Sequence, residues 1–335
     1  MKIYNIEEND SNQRLDKFLK KLFPNATRSL IYKFNRKNKI KIQSIDTDWK
    51  FKKMDNEYKL KTWDIVKIFL SEKDFDILTT QEKSVSLSKN DSLDKKDIVY
   101  EDWDLLVLNK SPWINVHAWD HKTKEANIIM QVHDYLWNSL NSLTFKPSLI
   151  HRIDRDTSWI LLIWKKKETL TKLVWDFKDH KKVKKIYYAV VLWKLSRTEW
   201  TIKKPLKRIE WAKNENKVQV ANDGQTAISH YKLLKEHNLK TNEWNIILSE
   251  VEVKIDTWRM HQIRVHMASL WNPILWDKAY WDKKINRYFE INYWLTRQAL
   301  HAWKIDFFHY ARNKNFSLEA RIKDDLKKLI NDIKK

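Results

Sequence analysis

The sequence contains no cysteine, which excludes a disulfide framework and any thiolate chemistry. No apolar run approaches the ~20 residues that a membrane-spanning helix needs. The first residues, MKIYNIEENDSNQR, also lack the apolar core of a secretory signal. We therefore expect a cytoplasmic protein without a membrane partner, whose 335 residues suit two domains.

Glycine is almost absent, with one residue beside 19 tryptophans. A chain of this length usually carries about 23 glycines, at ~7% of residues, and the two residue types together come close to that number. Many tryptophans stand where a turn favours glycine, as in KTWDIV, SPWIN and DTWRMH. We hypothesise that UGA codons meaning glycine in the source organism are translated here as tryptophan. The alternative is a tryptophan-rich core or base-stacking surface.

The net charge is strongly positive, at +21. Such a balance favours a polyanionic partner, most simply a nucleic acid, because neutralising phosphates releases bound counterions. Membrane headgroups or a merely solvated basic surface are the alternatives.

Residues 1–70 hold 17 Lys and Arg against 9 Asp and Glu. From Arg14, RLDKFLKKLF has the apolar spacing of an amphipathic helix, Thr27 can cap a second helix, and KIKIQ alternates like a strand. We predict a small RNA-binding domain of two helices and a small sheet. The basic residues we expect to contact RNA along its helices are Arg14, Arg28, Lys33 and Arg36.

Residues 71–96 are polar and without lasting periodicity, which predicts a flexible linker. From residue 97 to 335, β-rich runs such as LLVLNK, ILLIW, IYYAVVL and EVEVKI alternate with helical patterns such as KETLTKLVWDF. This mixture predicts a second domain of α+β class, with a mixed, largely antiparallel sheet flanked by helices. The sequence has no phosphate-binding loop and no dinucleotide fingerprint, and we expect no cofactor.

Asp154 lies between Arg152 and Arg155, just before a predicted strand. Neighbouring guanidinium groups favour the ionised carboxylate, which could act as a base or a nucleophile. A surface cluster of ion pairs explains the same residues equally well.

The segment RMHQIRVHMASL contains Arg259, His261, Gln262 and Arg264. Read as a strand, it places His261 on the face opposite Arg264, and its density of polar residues suggests a binding groove. We do not expect a metal site, because the histidines lack a spaced set of carboxylates or cysteines. A structural role for the histidines is the alternative.

In KKIYYAVVLW, Tyr187 and Tyr188 point to opposite faces of a predicted strand. One of them should enter the core, and the other should be available. A tyrosine in a basic cleft can stack on a base, and burial in the core is the alternative for either residue.

With tryptophan in place of glycine, five motifs resemble those of the RluA-type pseudouridine synthases. HRIDRDTSW resembles HRLDxxTSG, and LNKSPWINVHAW resembles NKPxGxxVHxG. The segment TWRMHQIRVHMASLWNPILWDKAYW is similar to TGRxHQIRVHxxxxGxPIxGDxxYG. KIYYAVVLW and ALHAWKIDF are similar to KxYxAxVxG and to the family's LHA segment. These motifs occur in the family's order over most of residues 98–310. Residues 1–70 resemble the S4 RNA-binding module, which with Arg155 and Thr157 favours the RluC branch.

The resemblance implies an isomerase that converts uridines of large-subunit rRNA to pseudouridine. By position, Asp154 is the catalytic carboxylate and Arg152 the residue that enters the RNA helix. Tyr187 stacks on the flipped uracil, and Arg264 pairs with the carboxylate. Departures at Ser111, Pro112, Ser229 and Asn38 touch none of these four.

Several alternatives stay open. They are a tRNA synthase of the same family, a non-catalytic S4-type RNA-binding or ribosome-assembly protein, and a basic structural or membrane-surface protein. Nothing in the sequence signals a self-complementary surface, and we expect a monomer.

Overall fold

The computed structural model describes residues 1–79, 92–116, 127–136, 140, 142–149, 156–179, 182–209, 217–241, 245–281 and 283–334. The chain divides into two compact units. The first comprises residues 1–93, 122–148 and 165–168, and the second comprises residues 94–121, 149–164 and 169–335. Segments 122–148 and 165–168, which the sequence assigned to the second domain, are therefore part of the first unit.

The first unit begins with a small antiparallel sheet and two helices. The sheet has the order β1 (Lys2–Asn5), β3 (Ile65–Ile68), β2 (Ile40–Gln43), and the helices are α1 (Leu15–Leu22) and α2 (Arg28–Arg36). Phe18 and Leu19 of α1 pack with Ile31 of α2 against one face of the sheet. The Thr27 hydroxyl accepts a hydrogen bond from Leu30 N at 3.2 Å, which confirms the predicted cap.

A third helix, α3 (Glu72–Thr79), follows the sheet, so the flexible linker predicted for residues 71–96 is wrong over this stretch. Its Phe75 is 1% exposed and its Leu78 is buried in the same core. Phe75 and Leu78 lie one helical turn apart. Two apolar residues are too few to reveal a helical period in the sequence, so the pattern gave no sign of this helix.

Buried Asp10 connects a distant segment to the first unit. Its carboxylate accepts hydrogen bonds from Leu143 N at 2.7 Å and from Thr144 N and Oγ1 at 2.9 and 2.6 Å. Helix α4 (Ile128–Leu136) belongs to the same unit. The carboxylate therefore joins residues more than 130 positions apart.

The second unit is built on a mixed sheet, to which the described residues contribute ten strands. Its main path runs β4-β5-β7-β14-β8-β13-β12-β9, with β6 beside β7 and β15 beside β14. The strands of this sheet are β4 (Ile98–Glu101), β5 (Leu105–Lys110), β6 (Ser148–Leu149), β7 (Ser158–Trp164), β8 (Lys184–Leu192), β9 (Glu199–Lys203), β12 (Ile228–Lys240), β13 (Asn245–Ile255), β14 (Leu300–His309) and β15 (Lys314–Glu319). Outside the sheet, the described residues of this unit form a hairpin of β10 (Leu206–Arg208) and β11 (Val218–Val220) and the helices α5 (Lys167–Lys178), α6 (Gln262–Ala268), α7 (Lys283–Tyr293) and α8 (Asp324–Ile333).

The apolar runs of the sequence become the interior strands of this sheet. Every residue of β5 and β7 is buried, as expected for strands covered on both faces. The strands predicted from LLVLNK, ILLIW, IYYAVVL and EVEVKI and the helix predicted from KETLTKLVWDF are confirmed, as is the α+β class. Over the described part of the chain, no helix has both the length and the apolar character to span a bilayer.

Many turns of the chain have tryptophan in the left-handed backbone region, which a bulky side chain disfavours. Positive φ angles between 56° and 75° occur at Trp49, Trp63, Trp113, Trp193, Trp271, Trp276 and Trp294. Asn38, which departs from the glycine of the S4 turn, has φ 56° as well, a conformation that asparagine tolerates.

Candidate active site

Three of the sequence motifs meet at the centre of the large sheet. Strand β14 pairs in parallel with β7, so that His301 lies opposite Ser158 and Ala302 opposite Trp159. On its other side Ala302 lies opposite Tyr187 of β8. The three residues Trp159, Ala302 and Tyr187 therefore form a row across three strands, and segments nearly 150 positions apart share one small region.

Hydrogen bonds fix the start of β7 in this region. The Ser158 hydroxyl lies 2.8 Å from His301 Nδ1, and Gln298 Nε2 donates to Thr157 Oγ1 at 2.6 Å. Thr157 and Ser158 are buried, at 2% and 0% exposure. Burial lowers the pKa of His301 to about 4, so its imidazole is neutral at pH 7.

Asp154, Arg152 and Arg155 lie outside the described residues. The described chain resumes at Asp156, directly before the anchored Thr157. The local structure therefore fixes the end of the motif that contains the predicted catalytic carboxylate.

Tyr187 is enclosed by aromatic side chains. Its ring meets Trp159 edge to face at 5.0 Å, and Trp159 in turn stacks on Trp258 at 5.6 Å with 10° between the ring planes. We predicted that one of Tyr187 and Tyr188 would be available, and this is wrong, because each is 3% exposed. The interior strand buries both of its faces.

Tyr188 belongs to a hydrogen-bonded network on the other face of β8. The Tyr188 hydroxyl donates to Glu250 Oε2 at 2.5 Å, and on the other side of the same carboxylate His237 Nε2 lies 2.5 Å from Glu250 Oε1. Burial and the adjacent Glu250 carboxylate raise the pKa of Tyr188, which keeps its phenol protonated. The network links β8, β13 and β12 and stabilises the sheet behind Tyr187.

Arg264 lies on helix α6, so the strand predicted for RMHQIRVHMASL is wrong. Its guanidinium makes two hydrogen bonds to one carboxylate, from Nε to Asp277 Oδ2 at 2.7 Å and from Nη2 to Asp277 Oδ1 at 2.8 Å. The side chains of Arg264 and Asp277 are 10% and 1% exposed. The structure therefore shows a buried, bidentate ion pair in which Asp277, not considered from the sequence, holds the guanidinium in place.

Tyr280 closes this cluster from the other side. Its ring lies 5.1 Å from the Arg264 guanidinium, and its hydroxyl is 2.8 Å from His261 Nδ1 and accepts from Val218 N at 2.9 Å. The sequence signal was present, because Asp277 and Tyr280 are the D and Y of the motif GDxxYG. Their part in the cluster was missed because a strand was assumed for Arg264.

The other polar residues of this segment have different settings. Gln262 is 3% exposed, and its amide bonds to Thr257, Arg259, Ile228 and Ser229, so it offers no surface to RNA. Arg259 is partly exposed and donates to Thr226 O at 3.1 Å, and partly exposed His261 has φ 54° at the helix start.

Lys185 is a further residue of this region that sequence reasoning missed. It lies two positions before Tyr187 on the same side of β8 and is 5% exposed. Its Nζ lies 3.5 Å from the centroid of the Trp258 ring and 4.7 Å from that of Phe177. Burial lowers the pKa of Lys185 to about 7. The signal was the lysine of the motif KxYxAxVxG.

In the first unit, two of the residues predicted to contact RNA converge on one carboxylate. Arg14 Nη2 lies 2.9 Å and Arg28 Nη2 3.5 Å from Asp16 Oδ2, to which the Tyr32 hydroxyl also donates. Burial alone would raise the pKa of Asp16, but the hydrogen bonds from Arg14 and Tyr32 outweigh it and hold that pKa below its ordinary value. Lys33 and Arg36 are exposed on α2.

Among the residues that the structure describes, no group of three or more histidine, aspartate or glutamate side chains could hold a metal ion. The described part of the site thus consists of the aromatic set around Tyr187 and the cluster of Arg264, Asp277 and Tyr280.

Comparison with known proteins agrees with this geometry. Residues 104–269 match the family described as RNA pseudouridylate synthase. The ribosomal large subunit pseudouridine synthase C of Buchnera aphidicola subsp. Baizongia pistaciae is 32% identical over 94% of this chain and 92% of its own length. The protein of the same name from Vibrio vulnificus is 30% identical over 100% of this chain and 97% of its own.

Solved structures show the same fold. Human RNA pseudouridylate synthase domain containing 4 superposes with a TM-score of 0.54 at 17% identity, over 71% of this chain and 93% of its own. Human RNA pseudouridylate synthase domain containing 1 gives a TM-score of 0.51 at 18% identity, over 71% and 94%. The chain belongs to the RNA pseudouridylate synthase family.

Proposed function

We propose that this RNA pseudouridine synthase isomerises uridines of large-subunit rRNA. The target class is supported by relatives named ribosomal large subunit pseudouridine synthase C, which align over nearly the whole chain. The observation that carries the proposal is the row of Trp159, Ala302 and Tyr187, because it brings three of the family's motifs to one place.

In the proposed reaction, the N1–C1′ bond of the target uridine breaks, the uracil turns while bound, and C5 bonds to C1′. The proton on C5 leaves, and N1 gains one, so the reaction needs no redox step. Asp154 acts on the sugar as nucleophile or base. Arg152 and Arg155 contact the RNA. Tyr187 stacks on the flipped uracil and helps remove the proton in a native protein where glycines at 159 and 258 take the place of the two stacked indoles beside its ring.

Arg264 provides the fixed positive charge of the site. Its two hydrogen bonds to Asp277 orient the guanidinium, and such a fixed cation opposes the rise in pKa that burial imposes on a nearby carboxylate. Asp277 and Tyr280 are thus positioning residues for Arg264 in this proposal. Arg259 and His261 line the RNA path.

We assign residues 1–70 to an S4 module and residues 97–335, apart from segments 122–148 and 165–168 of the first compact unit, to the catalytic domain of a protein that works as a monomer in the cytoplasm. The two helices packed on a small sheet support the S4 assignment, as do exposed Lys33 and Arg36 on the second helix.

We further propose that the native protein has glycine at many of the tryptophan positions. Seven tryptophans with positive φ support this, since glycine adopts that conformation without strain. In addition, the indole nitrogens of Trp164, Trp276, Trp281 and Trp303 are buried with no hydrogen-bond acceptor among the described residues. Peptide mass spectra of the protein purified from its source organism should give glycine masses at 159 and 258, and indole masses there would refute the proposal.

The function is tested by tritium release from RNA labelled at C5 of uridine. The parent protein should release tritium from large-subunit rRNA, and Asp154→Asn should abolish release while binding RNA within several-fold of the parent. Asp156→Asn, two positions away, serves as the matched control and should stay active. Release by Asp154→Asn would refute the catalytic assignment, release from tRNA alone would overturn the target, and binding without release by the parent would indicate a non-catalytic RNA-binding protein.

A further inference from the structure

The sheet of the first unit has one face buried and one face open. Ile40, Ile42, Val66 and Ile68 are at most 1% exposed and pack into the core with the helices. The strand residues on the opposite face are Ile3, Asn5, Lys41, Gln43, Ile65 and Lys67, and none of these six is acidic. The open face is therefore basic and lies on the side of the sheet away from α1 and α2.

Two lysines of the open face lie directly opposite one another. Lys41 of β2 pairs in register with Lys67 of β3, an arrangement that destabilises a sheet by itself. Neither lysine forms a salt bridge with a described acidic residue, whereas Arg14 and Arg28 both approach Asp16. An anion bound between the two ammonium groups would relieve this repulsion.

Aromatic rings accompany the two ammonium groups. Lys67 Nζ lies 5.0 Å from the ring centroid of Phe51 and 5.5 Å from that of Phe69, and Lys41 Nζ lies 5.9 Å from that of Phe69. Phe69 is 36% exposed, and Ile3, beside Lys67 in the register, is 53% exposed. The face thus alternates positive charges with accessible apolar rings.

We propose that this open face, defined by Lys41, Phe51, Lys67 and Phe69, is a binding surface for single-stranded RNA. The lysines would contact phosphates while bases stack on the phenyl rings, the combination by which proteins bind single strands without sequence preference. The proposal rests on the proposed action on RNA and adds a second contact surface to the basic helices. A flanking loop or unpaired strand of the substrate is the class of RNA that it fits, because the bases of a duplex are not available for stacking.

The test uses the full chain and fluorescence anisotropy with a labelled 12-nucleotide oligouridylate and a 12-base-pair RNA duplex. The double variant Phe51→Ala/Phe69→Ala removes two stacking rings and should weaken binding of the single strand by about 30-fold or more, from at least ~1 kcal/mol for each of two stacked bases, while duplex binding changes by less than two-fold. Lys41→Gln/Lys67→Gln should reduce the dependence of log Kd on log salt concentration by about 1.4, at ~0.7 per phosphate contact of a single strand.

Controls separate this surface from general charge and from folding. Lys327→Gln/Lys328→Gln on α8 removes the same charge elsewhere and should leave the affinity of the single strand within two-fold. Phe69→Tyr retains a ring and should bind the single strand within two-fold of the parent, unlike Phe69→Ala. Circular dichroism checks that each variant is folded.

Three results would overturn the proposal. The first is a phenylalanine double variant whose affinity for the single strand stays within two-fold of the parent. The second is an equal loss of affinity for the duplex in that variant. The third is a loss of single-strand affinity in Lys327→Gln/Lys328→Gln as large as in Lys41→Gln/Lys67→Gln. Binding is measured without turnover, so absence of tritium release from rRNA refutes the proposed function separately from this surface.

Discussion

The buried pair of Arg264 and Asp277 permits a prediction in which stability and activity separate. Asp277 accepts four hydrogen bonds, two from the guanidinium and two from the backbone N–H groups of Ala279 and Tyr280. In Asp277→Asn, one acceptor oxygen becomes an NH2 group that faces donors, and Arg264 keeps its charge without a carboxylate. We expect the free energy of unfolding to fall by about 3–5 kcal/mol, the usual cost of leaving a buried charge unpaired.

Urea unfolding followed by circular dichroism measures this loss. The matched control is Glu290→Gln, which breaks the exposed pair of Arg287 and Glu290 at 3.4 Å and should change stability by less than about 1 kcal/mol. The double variant Arg264→Met/Asp277→Leu replaces both charges by apolar groups and should recover most of the stability. It should remain inactive in tritium release, because the fixed cation is gone.

Two outcomes would refute this reasoning. One is an Asp277→Asn protein within 1 kcal/mol of the parent and with full tritium release. The other is a double variant that is as active as the parent. The first result would mean that the pair neither stabilises the fold nor positions Arg264, and the second that activity does not need the fixed cation.

Three further predictions concern strain and protonation. Trp271 is 75% exposed and has φ 61°, so Trp271→Gly should relieve backbone strain and raise the free energy of unfolding in urea by about 1–2 kcal/mol. Trp175→Gly, within helix α5, should lower it by about 0.5 kcal/mol. Equal effects of the two substitutions would count against backbone strain. The pKa of Lys185 is lowered to about 7, so the unfolded chain binds more protons between that pH and about 10.5, and stability should rise with pH over this window in the parent but not in Lys185→Met. The pKa of His301 is lowered to about 4, so the free energy of unfolding should fall by about 3 kcal/mol from this residue as pH drops from about 6.5 towards that value. His301→Gln should flatten this dependence of stability on pH. An unchanged pH dependence in Lys185→Met or in His301→Gln would contradict the pKa shift assigned to that residue.

Local sequence patterns predicted the elements whose burial follows a simple period. Leu15, Phe18 and Leu19 repeat with the period of a helix and form the buried side of α1. The unbroken apolar runs of β5 and β7 became interior strands because both faces of the large sheet are covered. The resemblance to known motifs then identified the residues that meet around Tyr187.

The sequence could not predict the partners that come from distant segments. Alternating polar and apolar residues from 263 to 266 suggested a strand, yet the segment forms α6, in which Ile263, Val265 and Met267 are all buried. The choice of Asp277 as the partner of Arg264 depends on the turn between them, and no local rule fixes it. In the same way, exposure of Tyr187 or Tyr188 depends on what covers each face of β8.

The position of β14 has a consequence for how the enzyme is made. This strand begins at residue 300 of 335, yet it lies between β7 and β8 at the middle of the sheet. During synthesis, β4, β5 and β7 on one side and β8, β13, β12 and β9 on the other leave the ribosome first, each group with an open edge. A chain that stops short of Leu300 lacks the strand that holds Ser158 and Tyr187 in register, and both groups of strands then keep an unpaired edge that favours aggregation.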